Sequence, residues 1–271
     1  LALYAYCRRL ALRPEAREML VAIRSAPPSR TPRTRRGNVA VWYPSTKMER
    51  VIKAESAKVE FAFLLEAEHD DAVIEFYDQP PPTPLEYRDS RGRLQRPLHT
   101  ADYFMFRYHT AGWEECKPTQ DLITQAQARP NRYRLDDDGT WRCPPGEAFA
   151  ARLGLTYRVR AADHINWAAQ SNWQFLDDYY QDLEHLVVPE RDATTLLHLV
   201  DAHPGITLSE LCGTAGVSAD IIYTAIAQHL LYVDLATNRL SEPERTPVFR
   251  DQPTARAYTH RQRHAGAAEA A

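Results

Sequence analysis

Three charged side chains interrupt an apolar stretch of this chain in a pattern that suits hydrolytic chemistry. The segment HTADYFMFRYHTAGWEECKP, residues 99–118, reads as two strands joined by a turn, and it carries Asp102, Glu115 and Lys117. Because alternate side chains of a strand share a face, Glu115 and Lys117 should point to one side of the sheet. The neighbouring strand is expected to bring Asp102 alongside them.

A cation would explain why carboxylates lie in such a segment. Two carboxylates on adjacent strands repel each other, and burying them is costly unless a positive charge lies between them. Mg²⁺ fits, because it binds through one or two carboxylates, keeps several waters and accepts a substrate phosphate as a further ligand. Lys117 would then orient or help to deprotonate an attacking water, or offset negative charge on the phosphate in the transition state.

A helix over 55–68 offers a third carboxylate. Glu60 is the best placed, since it lies near the apolar face marked by Phe63 and Leu64. Glu55 and Glu66 are weaker candidates. The alternative interpretation of the whole set is an ordinary ion pair between Glu115 and Lys117 on a half-exposed sheet, which would stabilise the protein little.

A basic arm precedes this helix. The stretch PPSRTPRTRRGN cannot form a regular helix, and it presents Arg33, Arg35 and Arg36 ahead of Lys47. These four residues are suited to neutralise DNA phosphates, so they form the predicted DNA-binding set. A solvated basic linker is the alternative, and residues 1–38 are predicted as an N-terminal helix, interrupted near Pro14, followed by this arm.

The elements around the charged residues predict a mixed fold. After the helix over 55–68 we expect, in order, a strand, two hairpins, a helix, a small hairpin, a helix, a strand and a long helix; the segments begin at residues 72, 84, 101, 119, 135, 145, 156 and 165. This order predicts an α+β or α/β core.

The C-terminal part predicts a second domain, a winged helix over 191–250. Its expected order is a helix, a short strand at Ile206, two helices separated by a glycine-containing turn, and a β-wing from Leu231 to Leu240. The segment that would be the recognition helix, SADIIYTAIAQHL, has no lysine or arginine and carries Asp220. This favours docking to protein over reading DNA sequence, and residues 251–271 are predicted as a flexible tail.

Composition places few other limits on function. The 271 residues are 44% hydrophobic and 25% charged with a net charge of −3, which is typical of a globular protein and not of a strongly basic nucleic-acid binder. We find neither a run of apolar residues long enough to span a membrane nor a plausible signal peptide, so a cytoplasmic location is expected. The four scattered cysteines predict reduced structural thiols.

The order of these motifs resembles the PD-(D/E)xK nuclease superfamily and, within it, the TnsA-type endonuclease subunit of heteromeric cut-and-paste transposases. The stretches that carry the resemblance are ESAKVEFAFLLEAEHDDAVIEFYDQP, GRLQRPLHTADYFMF and WEECKP. They are similar to the family's first helix with its EQP strand, its TPDFLV strand, and its EVKP or QVKP strand. Two departures are Ala101 in place of proline and Cys116 in place of a β-branched residue, and neither removes a metal-binding group.

The resemblance implies a restriction-endonuclease-like, mixed-sheet nuclease domain over 39–190. It implies that Glu60, Asp102 and Glu115 bind Mg²⁺, for which Mn²⁺ can substitute, and that Lys117 is the catalytic lysine. The reaction would be hydrolysis of the 5′-side strand of double-stranded DNA at transposon ends during excision.

The partners implied by the resemblance are a DDE transposase subunit, which would cut and join the 3′ ends, and an AAA+ regulator bound through the C-terminal domain. Two alternatives remain open. One is a stand-alone restriction or repair nuclease, and the other is a non-catalytic winged-helix adaptor or scaffold in a DNA-processing complex.

Overall fold

The chain forms two compact units, residues 1–165 and 166–271. The structure, a computed structural model, describes residues 2–30 and 39–269, with side chains to residue 262. Helices and strands occur together in an α+β arrangement, as the sequence predicts. The sequence-based boundary after residue 190 lies inside the second unit, whereas Glu60, Asp102, Glu115 and Lys117 all belong to the first.

The first unit contains five helices and twelve strands among its described residues. They are α1 Leu3–Arg9, α2 Pro14–Ser25, β1 Val41–Ser45, β2 Arg50–Ala54, α3 Glu60–His69, β3 Val73–Asp78, β4 Thr83–Pro84, β5 Tyr87–Arg88, β6 Leu94–Gln95, β7 Leu98–His99, β8 Tyr103–Arg107, β9 Ala111–Lys117, α4 Thr119–Ala128, β10 Arg134–Leu135, β11 Trp141–Arg142, α5 Pro144–Arg152 and β12 Thr156–Ala161.

A four-stranded mixed sheet is the centre of this unit. Its order is β12-β9-β8-β3, with β9 parallel to β12 and antiparallel to β8, which is in turn antiparallel to β3. Six of the seven residues of β9 are buried. A Cβ atom at Gly112 would collide with the backbone of Thr156, so glycine permits the close approach of β9 and β12.

The predicted local elements around the sheet form at or near their expected positions. The hairpin over 101–118 is β8 and β9, the one over 84–98 pairs β5 with β6, and α4 spans the expected helix. The helix predicted from residue 55 begins at Glu60 instead. Ser56 explains this, because its hydroxyl accepts a hydrogen bond from the backbone N–H of Val59 and holds a turn before the helix.

The N-terminal helices belong to the core of the first unit. Buried residues of α1 and α2, among them Tyr6 and Leu20, join the same apolar cluster as Phe106 and Trp113 of the sheet. The Tyr6 hydroxyl donates hydrogen bonds to the carbonyl oxygens of Arg107 and Thr110, both at 2.8 Å. The predicted interruption near Pro14 is confirmed, and the two helices are structural parts of the unit that carries the candidate site.

The second unit is mainly helical. Its elements are α6 Trp167–Phe175, α7 Asp177–Gln181, α8 Glu190–Ala202, β13 Ile206–Thr207, α9 Leu208–Ala215, α10 Ala219–Ala227, β14 Pro247–Val248 and α11 Gln252–Glu269. The long helix predicted from residue 165 is divided into α6 and α7 at Leu176, a buried residue of this unit's core.

The order of α8, β13, α9 and α10 agrees with the sequence pattern, but the segments after α10 differ from it. Gly216 adopts a left-handed conformation between α9 and α10, with φ of 66°. The segment predicted as a β-wing, residues 231–240, forms no hairpin in the described chain; Tyr232 makes an isolated bridge to Phe249, and β14 pairs with β13. The segment predicted as a flexible tail contains α11, whose Tyr258 ring packs 5.3 Å from the Phe249 ring.

No helix in the described part of the chain combines the length and the apolar character that a membrane crossing requires.

Candidate active site

Glu115 and Lys117 lie on the same face of β9, as the alternation of side chains predicts. Their charged groups form an ion pair, with Lys117 Nζ 2.9 Å from Glu115 Oε1. Glu114 points to the opposite face, where Arg107 lies 2.8 Å and Arg160 3.2 Å from its carboxylate oxygens. The central strand therefore separates two buried charge clusters, and only the first contains the predicted catalytic residues.

Glu115 is held by an unusual number of donors for a carboxylate with only 1% side-chain exposure. The Tyr133 hydroxyl donates to Oε1 at 2.7 Å and the Tyr157 hydroxyl donates to Oε2 at 2.8 Å, while His99 Nε2 lies 3.3 Å from Oε1. Burial alone would raise the pKa of Glu115. The interactions with His99 and Lys117 outweigh it and hold this pKa well below its usual range, so Glu115 is a permanent anion.

Arg132 determines which nitrogen of His99 faces Glu115. Its Nη2 lies 3.1 Å from His99 Nδ1. A guanidinium group has only donors, so Nδ1 must be the accepting nitrogen and the imidazole proton must be on Nε2. Nε2 lies 3.3 Å from Glu115 Oε1 without completing a hydrogen bond, and Arg132, His99 and Glu115 are thus successive neighbours at the edge of the cluster.

Asp102 lies in the bend directly before β8 and is attached to β9. Its Oδ2 accepts a hydrogen bond from the backbone N–H of Cys116 at 2.6 Å, and its own backbone N–H donates to the carbonyl of Glu114 at 3.1 Å. Burial raises the pKa of Asp102 to about 6, with Lys117 acting in the opposite direction and the charge of Glu115 adding to the increase. The carboxyl thus lies within the electrostatic field of both predicted partners on β9.

Glu60 approaches the same cluster from the first turn of α3. Burial, followed by the negative charge of Asp102, raises the pKa of Glu60 to about 8, and Lys117 opposes this increase. Its Oε2 accepts a hydrogen bond from the backbone N–H of Glu55 at 2.7 Å. Among the three glutamates considered, Glu66 instead binds Arg160 at 2.7 Å, on the side of the sheet where Glu114 lies.

The donor atoms left open in this cluster suit one hard cation. Among the described residues, nothing donates a hydrogen bond to Glu60 Oε1 or to Asp102 Oδ1. Both carboxyls also have raised pKa values, mainly because they are buried, and Lys117 opposes the increase in each. The described chain holds no group of three or more His, Cys, Asp or Glu arranged to bind a metal. Mg²⁺ needs only one or two carboxylates in addition to water and phosphate, so Glu60 and Asp102 are the residues that could hold it.

Of the four predicted DNA-binding residues, Lys47 is the one that lies in the described part of the chain, and its ammonium is not in this cluster. Arg33, Arg35 and Arg36 lie outside the described residues. Lys47 Nζ donates hydrogen bonds to two carbonyl oxygens at the C-terminal end of α3, those of Ala67 and Asp70, each at 2.7 Å. Glu60 begins the same ten-residue helix, so the two ends are roughly 14 Å apart.

Sequence reasoning missed most of the residues that surround Glu115. Tyr133 lies in a loop before the small hairpin of β10 and β11, where no periodic pattern marks it, and Arg132 precedes it. Tyr157 had a usable signal, because the alternation along β12 buries Tyr157, Val159 and Ala161. That signal requires knowing that β12 pairs in parallel with β9.

A scan against protein-family models finds no match for this chain, and a search of curated proteins also finds none. The cluster itself contains two carboxyls with raised pKa values and a lysine paired with a third carboxylate. Such groups could hold a cation and stabilise negative charge on a phosphate.

Proposed function

We propose that this protein is a metal-dependent DNA endonuclease in which Glu60, Asp102, Glu115 and Lys117 form the catalytic site. The observation that supports the proposal is the electrostatic continuity of the four groups. The charge of Asp102 acts on Glu60, those of Lys117 and Glu115 act on Asp102, and Glu115 contacts Lys117 directly. A buried cluster with this composition is costly to the fold, and it is explained if a cation and a phosphate complete it.

In the proposed mechanism, Glu60 and Asp102 would hold Mg²⁺, or Mn²⁺ in its place. The ion would supply Lewis-acid stabilisation of the phosphate and lower the pKa of a water nucleophile. Glu115 would be the third carboxylate of the site, and its Oε2 accepts a hydrogen bond from the Tyr157 hydroxyl.

Lys117 acts as a fixed positive charge in this mechanism. Burial would lower its pKa, but the charges of Glu115 and Asp102 outweigh burial and raise it, so the ammonium stays protonated at neutral pH. A lysine in that state cannot accept a proton from water. Its role is to stabilise negative charge that develops on the phosphate oxygens, while Glu115 positions it through the 2.9 Å contact.

We further propose that the nuclease acts as the TnsA-type subunit of a transposase and cuts the 5′-side strand at transposon ends. A restriction-endonuclease-like core, a C-terminal winged helix, a DDE transposase partner and an AAA+ regulator belong to this proposal. One feature of the second unit supports docking to protein: α10 contains no lysine or arginine, and its Asp220 accepts a hydrogen bond from the Tyr179 hydroxyl at 2.8 Å. Sequence recognition would then belong mainly to the partner.

A strand-resolved cleavage assay on a transposon-end duplex tests the proposal. It compares wild type, Lys117→Ala and the control Lys58→Ala, an exposed lysine near the start of α3, with Mg²⁺ or with EDTA. Each protein is assayed with and without the partner transposase. We expect Lys117→Ala to reduce the 5′-side cut by about 100-fold or more, because transition-state charge stabilisation is lost. Lys58→Ala should cut like wild type.

The other outcomes separate the alternatives. Equal 5′-side cutting by wild type and Lys117→Ala would contradict a catalytic role and leave an adaptor as the interpretation. Metal-dependent, Lys117-dependent cutting that needs no partner would instead identify a stand-alone nuclease.

A further inference from the structure

An arginine-lined cavity of about 660 Å³ lies in the first unit, beside the candidate active site. The β5–β6 hairpin forms one wall, and the turn that follows α4 forms the other. Six arginines line it: Arg88, Arg91, Arg93, Arg96, Arg129 and Arg132. This concentration of positive charge contrasts with the net charge of −3 of the whole chain.

Most of this positive charge is not neutralised within the described chain. Arg93 pairs with Asp89 at 3.1 Å and Arg96 pairs with Glu86 at 2.8 Å. The other four arginines form no ion pair with a described carboxylate, and Arg88 donates only to the carbonyl of Gly92. Uncompensated guanidinium groups on two facing segments create a positive potential that attracts a polyanion.

The hairpin wall is held in shape by its single lining acid. Asp89 Oδ1 accepts hydrogen bonds from the backbone N–H groups of Arg91 and Arg93, both at 2.9 Å, and Oδ2 accepts from Gln95 at 3.0 Å. Asn131 attaches this hairpin to the opposite wall by donating to the carbonyl of Arg88 at 2.8 Å. The Asp89 carboxylate is thus occupied by hydrogen bonds within the hairpin, and the arginines lie on a loop that these hydrogen bonds stabilise.

Arg132 connects the cavity to the catalytic cluster. It is a buried residue of the cavity lining, and its guanidinium donates to His99, whose Nε2 lies 3.3 Å from Glu115 Oε1. A polyanion that enters past the exposed arginines would therefore extend toward Glu115 and Lys117. A strand of phosphates fits this path, because guanidinium groups bind successive phosphates well.

We propose that this cavity binds the phosphate backbone of duplex DNA next to the bond to be cut. The placement of the DNA next to the bond to be cut rests on the proposed nuclease function. DNA binding by the cavity is measured without cleavage. The residues expected to contribute most are Arg91 and Arg129, since both are exposed and neither forms an ion pair in the described chain.

The test measures binding of the full chain to a fluorescent duplex in EDTA by anisotropy, between about 50 and 200 mM salt. The double variant Arg91→Ala/Arg129→Ala should bind about tenfold or more weakly at low salt. The slope of log affinity against log salt should decrease by about 2, since each lost phosphate contact removes about 0.9. The matched control, Arg8→Ala/Arg17→Ala, removes two exposed arginines of α1 and α2 and should leave both quantities unchanged.

A lysine version, Arg91→Lys/Arg129→Lys, is expected to recover most of the salt slope, because a point charge also neutralises phosphate. The inference is overturned if the alanine variant binds like wild type, if wild type shows no binding at low salt, or if polyglutamate displaces the duplex at lower concentration than unlabelled DNA does. Loss of binding in the alanine variant together with full cutting by Lys117→Ala would support the cavity and contradict the nuclease site. If the alanine variant binds normally and Lys117→Ala loses cutting, the result would support the nuclease site and contradict the cavity.

Discussion

Two glutamates of the candidate site have pKa values displaced in opposite directions, although both are buried. His99 and Lys117 lie beside Glu115 and hold its pKa low, so its charged form is favoured. Burial and the charge of Asp102 raise the pKa of Glu60, so its neutral form is favoured. In the proposed mechanism these environments give the two residues different roles: Glu115 is an anion that positions Lys117, and Glu60 is the group that would lose a proton when a cation binds.

The raised pKa of Glu60 predicts a pH-dependent effect of Glu60→Gln on stability. The pKa rises from 4.5 to about 8 on folding, so the folded state binds the proton more tightly. The proton's contribution to the free energy of unfolding is complete below pH 4.5 and is lost as the pH rises toward 8. Glu60→Gln removes this pH-dependent loss of stability. We expect the variant and wild type to have similar melting temperatures near pH 5, and the variant to melt increasingly higher as the pH approaches 8, measured in EDTA.

Magnesium should reduce the difference in melting temperature between Glu60→Gln and wild type at high pH. In wild type, Mg²⁺ is expected to raise the melting temperature more at pH 8 than at pH 6, since binding must displace the Glu60 proton at the lower pH. Glu60→Gln should lose most of this response. An exposed-carboxylate control, Glu86→Gln, should keep the response and show no growing difference with pH in EDTA. A constant difference between Glu60→Gln and wild type across this range would contradict the assigned pKa.

The positions of the charged residues of the site were predictable from sequence where they depend only on local strand and hairpin geometry. Alternation along one strand is enough to place Glu115 and Lys117 on one face, and hairpin pairing brings Asp102 to the same strand. The donors to Glu115 were not predictable in this way. Tyr133 and Tyr157 are separated from it by 18 and 42 positions, and their contacts depend on how loops and strands return to β9.

At the level of elements, the strand β9 is as buried as the apolar stretch around its charged residues predicts. A half-exposed sheet was the alternative interpretation, yet β9 lies between β12 and β8 and buries Glu114 as well as Glu115, each to 1% exposure. The parallel β12 is separated from β9 by α4 and α5, so local periodicity carries no information about this pairing. The burial of Glu114 is offset by Arg107 and Arg160, which the sequence pattern did not connect to it.

The position of Lys47 predicts a role in the stability of α3. Burial lowers the pKa of Lys47, and its ammonium donates to two carbonyl oxygens at the C-terminal end of the helix. Lys47→Met keeps the apolar stem and removes both hydrogen bonds. We expect it to reduce the free energy of unfolding by about 1–3 kcal/mol, measured by urea denaturation, and to leave DNA affinity unchanged.

Lys58→Met is the control for this variant, since Lys58 is exposed and its replacement should alter neither stability nor binding. The opposite pattern, in which Lys47→Met binds DNA more weakly and unfolds like wild type, would support the sequence-based assignment of Lys47 to DNA and contradict the capping role.

For the whole molecule, the order of elements was more predictable than their long-range pairing. The helices and turn of α8, α9 and α10 follow the expected order, because each has local signals such as the capping box of Thr207 and Glu210. The pairing of β13 with β14, 41 positions further along the chain, has no such signal. Similarly, α11 was not expected because its sequence has little apolar character, yet Tyr258 packs over Gly205 and against Phe249.

The distribution of charge over the whole chain leads to the last prediction, which concerns how many basic regions bind DNA. The described chain offers the arginine-lined cavity, and the sequence offers the arm with Arg33, Arg35 and Arg36. If both bind phosphates, their effects on the salt slope must add, because released counterions are counted independently. We expect Arg33→Glu/Arg35→Glu/Arg36→Glu to lower the slope by about 3, and this variant combined with Arg91→Ala/Arg129→Ala to lower it by about 5. If the triple arm variant keeps the wild-type salt slope, the arm is a linker. If the combined variant has the same salt slope as Arg91→Ala/Arg129→Ala, the phosphate contacts belong to the cavity. Either result would leave the cavity as the region that binds the duplex.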